Sequence, residues 1–145
     1  MQISSRFTIA IHTLTCIGIF QDEHKITSEF LARSVNVNPV IIRKVLGQLK
    51  NAELVQVQRG SGGATLARPL AEMTLLDVFN AVESIENQQL FSFHDQPNPD
   101  CPVGRNMHQV LDSRLFEIQK AMELKMKSMT LEDILDDTKA LIGKN

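Results

Sequence analysis

A chain of 145 residues with 43% hydrophobic side chains is long enough to bury one core and carry a small appendage. No stretch is long and apolar enough to span a bilayer, and the first residues lack the dense apolar run and cleavage site of a signal peptide, so the sequence reads as cytoplasmic. The net charge of −2 is unevenly divided: residues 1–68 are +4 and residues 69–145 are −6, so the front half attracts phosphate and the rear half is held away from it.

Ser4 and Ser5 offer an N-cap for a first helix to about Phe20, with Phe7, Ala10, Ile11, Leu14 and Ile17 at helical spacing. Ile9, Cys16, Ile19 and Phe20 widen its apolar surface beyond one stripe, which predicts burial on two sides, between its own domain and another subunit. Thr27 or Ser28 caps a second helix burying Phe30, Leu31 and Val35. After Asn36 and Val37, Asn38 is the N-cap of a third helix, with Pro39 at the first position, where its missing N–H costs nothing. This helix runs to about Ala52. Ile42, Val45, Leu46 and Leu49 share one face, and Val40, Arg43, Lys44, Gly47 and Asn51 take the opposite one. Gly47 costs about 1 kcal/mol relative to alanine; the close approach of a phosphate or base would offset that cost, or the helix simply tolerates it.

Leu54–Gln58 alternates like a half-exposed strand, and Ala64–Arg68 can return beside it around Arg59-Gly60-Ser61-Gly62-Gly63. The turn lacks the Gly-Lys-Ser/Thr ending of a nucleotide-binding loop. Helix, short turn, helix and glycine-tipped hairpin form a winged helix-turn-helix, which places its second helix in the DNA major groove. On that reading Arg43 and Lys44 contact bases or phosphates, and Val40 meets a thymine methyl. Arg59 and Gly60 enter a minor groove or lie on a phosphate, Arg6, Ser28 and Ser61 set register on phosphates, and Asn38 and Pro39 open the reading helix.

Thr74 and Asp77 form a capping-box-like pair for a helix with Leu75, Leu76, Val78, Phe79 and Val82 on its apolar face, ending near Ile85. Residues 86–102 are polar and proline-rich and read as a loop. Pro102 starts a long helix to about Met129, in which Met107, Leu111, Leu115, Ile118, Met122, Met126 and Met129 recur with an eleven-residue period. That period is close to the natural helical pitch, so the helix stays nearly straight, and a second subunit is the expected cover for its stripe, the alternative being that it packs back on its own domain. Thr130 caps a last short helix through Leu141, closed by Gly143. The expected architecture is mainly α with a small β-wing: a winged helix-turn-helix at 1–85, a loop at 86–102, and a dimerisation helix with a C-terminal short helix at 103–145.

Cys16 and Cys101 make no disulfide framework and are too few for a cysteine-only metal site. Cys16 reads as core. Cys101 sits at the N-cap of the long helix, where the dipole favours a thiolate and Arg105 one turn on could add to it; it is the candidate redox-sensing residue, the alternative being an ordinary, partly buried cysteine that caps the helix. His12, His24, His94 and His108 show no metal-ligand spacing, and no paired carboxylates or nucleophile–base pair suggests an enzyme.

Ser5-Arg6-Phe7, Thr27 to Val55, the wing Arg59-Gly60-Ser61-Gly62-Gly63-Ala64 and Met73-Thr74-Leu75-Leu76-Asp77-Val78 resemble the bacterial Rrf2-type winged-helix regulators, over nearly the whole chain. That family includes an iron–sulfur cluster assembly regulator and a cysteine-metabolism repressor. The resemblance implies a homodimeric regulator, a repressor, on a palindromic double-stranded DNA operator. It also implies a cluster held by three cysteines before the long helix, and here only Cys101, the last of them, is matched. Gly104 stands where the cluster assembly regulator has a histidine, His108 comes four residues too late, and Thr8 supplies no carboxylate, so the chain resembles a member without cluster or other cofactor. An effector, small molecule or protein, is left open. The competing reading is a winged-helix protein-interaction module that no longer binds DNA.

Overall fold

The computed structural model describes residues 3–83 and 89–144. They form helices α1 (Arg6–Phe20), α2 (Ser28–Val35) and α3 (Pro39–Asn51), strands β1 (Val55–Val57) and β2 (Ala64–Leu66), and helices α4 (Leu75–Val82), α5 (Pro102–Lys127) and α6 (Leu131–Ile142). Two compact units result: one joins residues 2–83 to residues 126–145, and the other is centred on residues 84–125.

Local chemistry sets most element boundaries in the first unit. Thr27 Oγ1 accepts from Phe30 N–H at 3.1 Å, so Thr27 rather than Ser28 is the cap of α2. Asn36 ends that helix in the left-handed region at φ 63°, which asparagine tolerates better than most residues. Asn38 Oδ1 then accepts from Val40 N–H at 2.9 Å and starts α3. The two strands pair antiparallel, Val55 with Leu66 and Val57 with Ala64. Gly63 carries φ 77°, and a Cβ there would lie 2.9 Å from Ile26 N, so only glycine lets the hairpin close against the chain entering α2. Ala64 N–H donates to Ile26 C=O at 2.8 Å and completes that anchor.

Leu14, Ile17, Leu31, Ile42, Leu49, Leu54, Met73, Val78 and Leu131 are fully enclosed in this unit. Each such aliphatic side chain contributes about 1.5–3 kcal/mol of transfer free energy. Helix α1 is buried on two sides, as its composition suggests, but α6 of the same chain covers its second side where another subunit was expected. Gly18 permits this: a Cβ there would meet Leu70 Cδ1 at 2.8 Å and Leu135 Cδ1 at 3.4 Å.

The placement of α6 departs from the expected grouping of residues 103–145. Leu75 N–H donates to Met129 C=O and Leu131 N–H to Met73 C=O, each at 2.9 Å, so the segments entering α4 and α6 pair as a short bridge. Thr74 with Asp77 and Thr130 with Asp133 form two capping boxes beside it. Backbone pairing between segments far apart in sequence has no local signature, whereas each capping box does. Helix α4 stops at Val82, short of the expected end near Ile85, which lies with residues 86–88 of the loop outside the described residues.

In the second unit the described loop residues pack on α5. Leu90 is buried and its N–H donates to Gln119 Oε1 at 2.8 Å. The Phe93 ring stacks on His108 with centroids 4.0 Å apart. No residue of α5 is buried.

Candidate nucleic-acid interface

Helix α3 separates its two faces as the phase of its sequence requires. Ile42, Val45, Leu46 and Leu49 are buried, while Val40, Arg43, Lys44, Gly47 and Asn51 are exposed. Val40 keeps 62% of its surface in solvent, an unusual position for an aliphatic side chain beside two cations. The space around Gly47 is open, with no atom within 4 Å of a would-be Cβ. Sequence reasoning missed one feature: Arg43 Nη2 lies 3.4 Å from Glu29 Oε1 of α2, both well exposed. Such a surface pair is worth about 0–1 kcal/mol and is easily exchanged for a stronger anion. The helical phase of α3 alone could not show it, because the partner comes from another helix.

The other candidate residues occupy the same unit. Arg59 is exposed and precedes a short 3-10 turn, Gly60–Gly62, in which Gly60 takes φ 74°. Ser61 lies in that turn. Ser28 is half-buried at the first position of α2, and Arg6 is half-buried at the first position of α1, its N–H donating to Ser4 Oγ at 2.9 Å. Pro39 occupies the first turn of α3 behind Asn38. Arg68, at the end of the wing, instead pairs with Asp77 Oδ2 at 3.5 Å.

Cys16 is buried, as expected of a core residue, and Cys101 is exposed. Cys101 C=O accepts from Arg105 N–H at 2.9 Å, which makes Cys101 the N-cap of α5. The backbone N–H groups of Gly104 and then Val103 hold its thiol pKa below the ordinary value, against a small opposing effect of desolvation. Arg105 was expected to assist and does not figure among the causes; its guanidinium reaches Pro99 C=O at 3.5 Å instead.

The donor set does not fit an iron–sulfur cluster. The loop up to Asp100 contributes no cysteine, and among the described residues no three His, Cys, Asp or Glu side chains converge as metal ligands. At Gly104 a Cβ would lie 2.6 Å from Asn98 C=O, so the loop backbone occupies the space a ligating side chain there would need. His108 is engaged with Phe93. No helix among the described residues is long and apolar enough to cross a membrane.

Comparison with known proteins agrees with this architecture. Residues 3–137 match the model of the Rrf2 family, described as iron-dependent transcriptional regulators. The chain is 38% identical over 134 residues to YwnA of Bacillus subtilis, named as an HTH-type transcriptional regulator, covering 92% of this chain and 97% of that one. It superposes on a solved structure described as that of a DNA-binding protein with a TM-score of 0.73 at 37% identity, over 90% of this chain and 99% of that one. The fold is also that of CymR, the global cysteine regulator of B. subtilis (TM-score 0.67, 19% identity, 94% and 97% covered). The chain belongs to the Rrf2 family of winged-helix transcriptional regulators, which are DNA-binding proteins rather than enzymes.

Proposed function

With that membership as premise, we propose that the protein is a homodimeric repressor that reads a palindromic operator through the exposed face of α3 and works without an iron–sulfur cluster in the bacterial cytoplasm. The observation that carries this reading is the segregation on α3. Its apolar face is fully occupied by the protomer's own core, so Val40, Arg43 and Lys44 are displayed on a rigid support. Arg43 and Lys44 supply donors for guanine or phosphate, and Val40 an apolar contact for a thymine methyl. Arg59, Gly60 and Ser61 of the wing, Ser28 on α2 and Arg6 on α1 hold the sugar–phosphate backbone, with Asn38 and Pro39 fixing where α3 begins. The homodimer is supported by α5, which leaves an apolar stripe unburied in the protomer. Two protomers then present two α3 helices to half-sites separated by a whole number of helical turns.

Selection of bound DNA from a random pool, followed by anisotropy titration of the enriched sequence, tests the reading. Enrichment of a palindrome is expected, and Arg43→Ala should weaken specific binding by about 1–3 kcal/mol and relax the preference at one base per half-site. Absence of enrichment at moderate salt would return the domain to a protein-interaction role.

A further inference from the structure

A cavity of 440 Å³ opens in the first unit, and none of its lining residues belongs to α3. That volume lies within the range of small-molecule sites. Ile11 and Phe20 from α1 and Ile134 and Ile142 from α6 form its apolar wall. Its polar end is three side chains in series. Cys16 Sγ lies 3.2 Å from Ser34 Oγ, and Ser34 Oγ lies 2.9 Å from His12 Nε2. The threonine hydroxyls in the wall donate to carbonyls of their own chain at 2.7–3.0 Å, leaving them little to offer a ligand. Among the described residues no Asp, Glu, Lys or Arg lines the cavity.

The hydrogen-bond accounting points to one kind of occupant. Ser34 has a single hydroxyl proton, so the series runs either from the thiol through Ser34 to the imidazole or the reverse. In both directions His12 Nδ1 has no partner among the described residues. His12 and Ser34 stand exposed at the mouth of the cavity; when Ser34 donates to Nε2, Nδ1 carries the ring proton and is a donor there, and among the described residues no carboxylate lines the cavity to accept it. We propose that this cavity binds a small organic acid, its carboxylate on His12 beside Ser34 and its branched-aliphatic or aromatic tail among the isoleucines, and that its occupancy tunes DNA affinity.

The regulatory half rests on the DNA-binding function proposed above. Ser34 stands in the last turn of α2, the helix that packs on α3, whereas Ile134 and Ile142 belong to α6. An acid that spans them favours one arrangement of α2 against α6, and so one presentation of α3, by as much as its affinity differs between the arrangements.

The test is a methyl NMR titration of the 145-residue chain with isovalerate, benzoate and 4-phenylbutyrate and with 4-phenylbutyramide as the uncharged control. Saturable shifts at Ile11, Ile134 and Ile142 are expected from at least one acid. The amide should bind about tenfold more weakly than 4-phenylbutyrate, and His12→Gln should bring the acid down to the level of the amide while the thermal midpoint stays put. Operator affinity should change by at least about fivefold at saturation, the lower end of the usual range of coupling between sites. Shifts absent up to about 10 mM, the regime in which fragment-sized ligands register, or equal affinity for acid and amide, would overturn the site. Saturable shifts with operator affinity unchanged would overturn the coupling. Failure of the DNA-binding reading is separately visible, as no operator enriched with or without acid while the NMR titration still reports on the cavity.

Discussion

Helices α3 and α5 carry apolar stripes of the same kind, but only that of α3 is buried in its own chain. In α3 the four stripe residues Ile42, Val45, Leu46 and Leu49 are buried, and what remains outside includes the cations Arg43, Lys44 and Lys50 and the exposed apolar side chains Val40 and Ile41. In α5, twice as long at 26 residues, nothing is buried: Met107, Leu111, Leu115, Met122 and Met126 of the stripe are half-buried, Ile118 is 54% exposed, and beside them Phe116 and Leu124 expose 65% and 60% of their surface. Large apolar side chains left in solvent along one helix mark an interaction surface. The same helical periodicity therefore means two different things. In α3 it builds the protomer and orients the outer face; in α5 it waits for a partner.

The sharpest way to break this comparison is a charge on each stripe's own terms. Leu115 is half-buried in α5, so glutamate there costs the isolated protomer little. Closed inside a dimer, an uncompensated charge costs about 3–5 kcal/mol, and a twofold axis brings in its copy as well. Leu115→Glu should therefore dissociate the dimer in sedimentation equilibrium while leaving the circular dichroism of the protomer intact. A dimer as tight as wild type would place the interface elsewhere. Leu49→Ala should do the opposite. It removes a fully buried side chain from the core of the first unit and should cost about 2–5 kcal/mol in urea unfolding, with folded protomers still associating.

The sequence shows the α3 half of this contrast more clearly than the α5 half, for a physical reason. Thr27, Asn38, Thr74 with Asp77 and Thr130 with Asp133 cap their helices through contacts two or three residues away, so the residue types themselves announce the boundaries. The phase of Ile42 to Leu49 is equally local, and with it the exposure of Val40, Arg43 and Lys44. What escapes a linear reading is pairing at a distance: Met73 with Leu131, the fit of α6 over Gly18, Arg43 with Glu29, and the Phe93–His108 stack. Gly18 could have been a clue, as a glycine inside an apolar helix, but nothing in the chain says which element comes close to it.

Gly47 refines the outer face of α3. Alanine there meets no atom within 4 Å, so Gly47→Ala should raise stability by about 1 kcal/mol in thermal or urea unfolding. A simultaneous loss of operator affinity would show that DNA approaches the helix backbone at this turn. Unchanged affinity would make Gly47 a tolerated residue and confine the reading head to Val40, Arg43 and Lys44.

The two cysteines repeat the comparison on the scale of single atoms. Cys16 is enclosed in the first unit, and Cys101 stands in solvent at the start of α5. Backbone N–H groups of Gly104 and Val103 favour the Cys101 thiolate, so its pKa is lowered and its thiolate fraction rises at a lower pH than that of an unfolded cysteine. Alkylation by iodoacetamide follows the thiolate. In the native protein it should therefore add one label, at Cys101, with a pH–rate profile displaced toward acid; Cys16 should react only after unfolding. The sign is fixed by the helix end: donors aimed at the sulfur stabilise the charged form, and denaturant should move the Cys101 profile back toward alkaline pH. A native profile already superposed on the denatured one would mean that the helix terminus leaves the sulfur unperturbed, and the case for Cys101 as a redox-sensing thiol would go with it.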